Sequence, residues 1–171
     1  MLRVVRARLA LTAACLAMAG ACRGDRRVAS EAGGGVAPRV AIDEIMIDPR
    51  MVSDASGEWF EVVNYGESSV SLRGWTITSA NDAPRRIDAA VSISPGGYAV
   101  LAANADPARN GGVRATWAYG GEPRFANGAD WLALHDARRT LVDSIAWRSA
   151  VPGVSWELDD PRQPHASVAP P

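Results

Sequence analysis

The sequence has no lysine: all 18 of its basic side chains are arginine, against 19 acidic ones. Its only cysteines are Cys15 and Cys22, both close to the N-terminus. If cleavage leaves Cys22 alone, no intramolecular disulfide can form, and an exported domain must be held by its own core. Histidine is confined to His135 and His165. There is no G-x-S-x-G, no H-E-x-x-H and no glycine loop shaped to cradle phosphate, so the chain is not expected to be an enzyme or to carry a cofactor. Helical periodicity is also missing from every window of about eleven residues past the leader. Aromatic residues make up only 6% of the chain, yet six of the eleven are tryptophan, all after residue 58.

What is present begins with a targeting signal over residues 1–22. Arg3, Arg6 and Arg8 form a positive region, and Leu9 to Ala19 is an apolar stretch too short to span a bilayer. Ala19-Gly20-Ala21 then leads to Cys22, in a pattern that resembles a bacterial lipoprotein signal with Cys22 as the lipidated residue, although Ala19 stands where leucine is usual. Membrane attachment through a lipid on Cys22 is therefore expected, with plain secretion as the alternative. Removing the three leader arginines leaves 15 Arg against 19 acids, a formal charge of −4. That balance gives little counterion release, and no nucleic-acid partner is expected. Residues 23–38 are polar and centred on Gly33-Gly34-Gly35, a flexible tether with a root-mean-square span of roughly 20–25 Å. Arg23-Gly24-Asp25 beside the anchor is read as chance.

Past Arg39 the chain becomes short apolar runs separated by turn residues. Val40, Ile42, Ile45 and Ile47 form the first, ended by Asp48-Pro49, and residues 51–56 read as a polar loop. The organising stretch follows. Gly57 to Tyr65 and Val70 to Ile77 read as two strands joined tightly by Gly66-Glu67-Ser68-Ser69. Apolar alternation slips by one residue at Gly74, which predicts a β-bulge there and a buried Trp75. Further runs are Ile87 to Ile93, then Tyr98 to Ala102 (apolar on both faces, hence central), Asp130 to Asp136, Thr140 to Trp147 and Val154 to Leu158. Residues 104–121 are the longest irregular stretch, and residues 162–171 read as a loose tail. Seven to nine short strands predict an all-β sandwich over residues 39–161.

Six blocks in order give that reading a family. Val40-Ala41-Ile42-Asp43-Glu44-Ile45-Met46, Gly57 to Asn64 and Leu72-Arg73-Gly74-Trp75-Thr76-Ile77 resemble the lamin-tail domain family, as do Ser94 to Leu101, Phe125 to Asp130 and Val142 to Trp147. The resemblance implies an immunoglobulin-like β-sandwich that binds or tethers rather than catalyses, and in its bacterial members an exported one. Filament assembly of the animal lamin kind does not carry over, because the chain has no heptads.

Three candidate sites remain. Asp43, Glu44, Asp48, Asp54, Glu58 and Glu61 form a dense acidic group, but no spacing matches a calcium loop, and outward-facing strand carboxylates are the commoner explanation. Glu44 and Glu61 match positions usually acidic in the family and are read as structural, bonding loop amides. Arg114, Trp117, Tyr119, Arg124 and Phe125 form the best candidate binding patch, able to stack on a sugar ring or a partner chain, unless Phe125 and Trp117 cap the core. His135, opposite Leu132 and Leu134 in the alternation, is expected to face solvent. The first functional reading is a binding or scaffolding module anchored in a bacterial envelope, on its periplasmic or surface face, with an envelope protein as partner. A carbohydrate- or polymer-binding module comes second, and an unrecognised hydrolase third.

Overall fold

The computed structural model describes residues 39–80 and 82–157. The expected leader with Cys22, the tether over 23–38, and the tail over 162–171 with His165 lie outside the described residues. In chain order the strands are β1 (Val40–Met46), β2 (Trp59–Asn64), β3 (Val70–Ser71), β4 (Thr76–Ser79), β5 (Arg85–Arg86), β6 (Ser92–Ile93), β7 (Tyr98–Ala102), β8 (Trp117–Ala118), β9 (Asp130–His135), β10 (Leu141–Trp147) and β11 (Trp156–Glu157). One sheet runs β11-β1-β2-β7-β8, a second β10-β9-β4-β5, and β3 pairs with β6. The count exceeds seven to nine because five of these strands are only two residues long. A helical turn, α1 (Asp54–Gly57), ends the stretch read as loop and takes in Gly57, read as the start of the next strand. A side chain at Gly57 would collide with Val52 and Pro49, so glycine lets that turn pack down.

The core follows from alternation. Ile42, Ile45, Phe60, Val62 and Leu101 of the first sheet face Ile77, Leu132, Leu134 and Ile145 of the second, each at most 4% exposed. Trp75 is buried among them at 4%. β7 lies between β2 and β8, an interior place as its two apolar faces predict, although Tyr98 at its start is exposed.

The stretch after Asn64 differs from its sequence reading in two ways. Gly57 to Tyr65 and Val70 to Ile77 do not pair with each other: β2 pairs with β1 and β7, whereas residues 70–79 run beside residues 85–93. The linker Gly66 to Ser69 carries the chain out of the first sheet. Buried Asn64 holds it there, donating to Ser68 O (2.8 Å) and Ile93 O (3.0 Å) and accepting from Gly66 N (3.0 Å). Gly74 sits in a turn and not at a bulge: Trp75 N donates to Leu72 O at 3.0 Å, and Gly74 has φ +86, which favours glycine. The slip in pattern is the turn itself, which resets the face on which Trp75 emerges.

Among the described residues, the edge strands β5 and β8 are only two residues long, and the seven-residue edge strand β10 lies against β1. The register of β1 shifts between Ile42 and Glu44, that of β10 between Leu141 and Asp143. Buried Asp143 reaches across to accept from Ile42 N at 2.8 Å. An inward carboxylate thus takes the amide that would otherwise invite a further strand.

Candidate functional site

The start of β2 divides the molecule. In Glu58-Trp59-Phe60-Glu61, Glu58 and Phe60 point inward and are 2% and 0% exposed, whereas Trp59 and Glu61 are half-buried on the outer face.

Inward, Phe60 meets Tyr119 (6.2 Å between ring centroids) and Phe125 (6.3 Å), and Phe125 meets Trp147 edge-on at 5.9 Å. Tyr119 donates from its hydroxyl to Glu58 O at 3.2 Å, and Phe125 N donates to Glu58 Oε1 at 3.2 Å. Burial pushes the Glu58 carboxyl up to about 8; Asp54 and Asp82 add to this, while the Phe125 amide and Arg124 oppose it. Burial likewise raises the Tyr119 hydroxyl well above its ordinary value. Loop ordering at this end rests on buried polar side chains: Asp130 accepts from Ala80 N, Ala126 N and Trp131 N, and Asn110 bonds Asn104 O and both backbone groups of Val113.

The predicted aromatic–arginine patch is therefore split. Tyr119 and Phe125 belong to the core at 1% and 2% exposure. Arg114 and Arg124 are exposed, and Trp117 is half-buried with the Arg85 guanidinium 5.8 Å from its ring centre. A shallow cleft of about 340 Å³ lies beside them, lined by Arg85, Tyr119, Gly120, Gly121, Glu122 and Arg124. Arg114 is absent from that lining. Arg85, outside the aromatic patch read from the sequence, comes from the opposite sheet.

Outward, the registers Glu44↔Glu157 and Glu44↔Glu61 set three carboxylates in one row across β11, β1 and β2. The Met46–Trp59 pair lies on one side of the row and the Val63–Tyr98 pair on the other; Tyr98 is 54% exposed. Burial, then Asp43 and Glu44, raises the Glu61 carboxyl; burial, then Glu157 and Glu44, raises that of Asp43. Glu44 does not bond a loop amide: Ser155 Oγ donates to it. Amide binding falls instead to Glu58, Asp130 and Asp143. Among the described residues no three acidic, histidine or cysteine side chains converge as a metal site, so the acidic group read from the sequence is spread over a surface and the core. His135 is half-buried, paired across strands with Thr76 and Leu141.

Two sheets packed in this way define the class of the fold, a small immunoglobulin-like β-sandwich. The family model for the Lamin Tail Domain matches residues 35–149, and the chain belongs to that family. No curated protein matches it.

Proposed function

We propose that the chain is a non-catalytic binding module held to a bacterial envelope by a lipid on Cys22. The observation that carries the binding half is the outer face of the five-stranded sheet, where Tyr98, Trp59 and Met46 surround a row of carboxylates. The exposed Tyr98 ring and the half-buried Trp59 ring beside aligned charge make a recognition surface, because aromatic rings supply contact area at low entropic cost. With β5 and β8 short and β10 lying against β1, a partner meets a face rather than adding a strand. The anchor is supported by the leader pattern ending at Cys22.

Two arms test this. Cys22→Ser should move the protein from the membrane to the soluble fraction, and unchanged membrane association would contradict the anchor. Trp59→Ala with Tyr98→Ala in the full chain should abolish capture of a partner from envelope extract while the fold persists. A second reading, binding of a surface polymer, is favoured by the Arg85–Trp117 stack beside the cleft. Retarded migration in gels cast with envelope polysaccharide, lost in Trp117→Ala, would support it.

A further inference from the structure

None of the strands β1, β2, β7, β8 and β11 contains an arginine, so the carboxylate row Glu157–Glu44–Glu61 has no cation from its own sheet. Like charges directly opposite one another on adjacent strands destabilise a sheet. At roughly 4.8 Å between strands the row is about 10 Å long, an extended strip and not a chelating nest. A surface carrying several guanidinium groups would complement it.

The same chain carries such a surface at the far corner of the other sheet. Thr76 pairs with both Arg86 and His135, which brings β5 and the end of β9 to one place. Beside them the unfilled side-chain position of Gly74 lies 3.4 Å from an Arg86 guanidinium nitrogen and 3.4 Å from Ala137 Cβ. Arg73 and Arg86 line a cleft of about 220 Å³ with Gly74, Ile87 and Asp88, and Arg138 and Arg139 follow Ala137 in the adjoining turn. All four arginines are exposed. Two acids lie near: Asp88 in the cleft, and Asp136, whose Oδ1 already accepts from Arg138 N and Thr140 N at 2.8 Å each.

We infer that two copies of this chain associate head to tail, the carboxylate row of one receiving the arginine corner of the next. The inference rests on reading the five-stranded face as a binding surface, and names its partner. Arginine forks pair with carboxylates in two parallel hydrogen bonds, and Tyr98 and Trp59 flank the row as apolar anchors. Because the two surfaces differ, the contact is heterologous: each added copy presents a fresh surface, giving short rows instead of closed dimers. Anchoring in a common membrane raises the effective concentration that favours such contacts.

Sedimentation of the full chain in non-ionic detergent tests this with two charge-reversed variants, Glu44→Arg with Glu61→Arg, and Arg73→Glu with Arg86→Glu. Circular dichroism confirms folding, and Glu61→Gln and Arg86→Gln serve where a reversal fails to fold. All share one leader, so association driven by the leader would be common to every sample. The parent chain should gain mass with concentration and lose it in high salt. Each variant alone should stay at its starting mass, and their equimolar mixture should gain mass again, since the carboxylate row of one meets the arginine corner of the other. A parent chain that never associates, or variants that associate as it does, overturns the inference. An arginine hexapeptide added to the parent chain separates the two failures. If it binds and Glu61→Gln weakens it, the face is a binding surface with a foreign cationic partner; if it does not bind, the surface reading falls as well.

Discussion

Glu58 and Glu61 are chemically identical and three residues apart, yet one lies in the core and the other on the outer face. Phe60 and Trp59 divide the same way. The inner pair fixes loops: Glu58 binds the Phe125 amide, and Phe60 anchors the ring cluster of Tyr119, Phe125 and Trp147. The outer pair lies half-buried beside the carboxylate row and the exposed Tyr98, on the face proposed to bind a partner. A two-residue period thus assigns core packing to one side of β2 and leaves the other as the face proposed for recognition.

The sharpest way to break that comparison is to truncate both rings. Phe60→Ala should cost about 3–5 kcal/mol, the range for an aromatic deleted from a core, whereas Trp59→Ala should cost under about 2 kcal/mol. Urea unfolding measures both, and similar losses would erase the distinction between the sides. Further along β2, Asn64→Ala should cost about 2–3 kcal/mol, because it strands the Gly66 amide and the Ser68 and Ile93 carbonyls. Tyr98→Ala should change unfolding by less than about 1 kcal/mol while weakening partner capture. Smallest of all, the full chain should give no DNA gel shift at physiological salt, any affinity falling below the ~10⁻⁴–10⁻⁶ M of nonspecific binders. A salt-sensitive shift lost in Arg73→Glu with Arg86→Glu would instead assign the arginine corner to nucleic acid.

Much of the fold was legible because alternation is local. The longer strands, the sandwich and the burial of Trp75 all follow from residue period and turn chemistry. Pairing was not legible in the same way. Gly66 to Ser69 has the composition of a hairpin turn, but nothing in it reveals that Asn64 spends its amide on Ile93, 29 residues away, and sends the chain to another sheet. Gly74 shows that a phase slip reports a break in alternation without saying whether the break is a bulge or a turn. The candidate patch failed for a similar reason. Trp117, Tyr119 and Phe125 are neighbours in sequence, yet the loop winds so that Tyr119 and Phe125 fill the core. The carboxylate row could be seen only after the register of β11 was known, since Glu157 lies over a hundred residues from Glu44.

The most direct test of the division across β2 is the pH dependence of unfolding in the parent chain and in Glu58→Gln. Burial raises the folded-state pKa of Glu58 to about 8, above the ordinary 4.5. Between those values the folded protein holds a proton that the unfolded chain releases, so stability from this group is full below about pH 4.5 and is lost as pH rises towards about 8. Asp43 and Glu61 are shifted in the same direction, so the difference between the two profiles isolates Glu58. The parent chain should lose on the order of 2–4 kcal/mol more than Glu58→Gln across that window, a part of the full shift being screened by solvent. Parallel profiles would mean that Glu58 is not buried as a protonated carboxyl and would contradict the account.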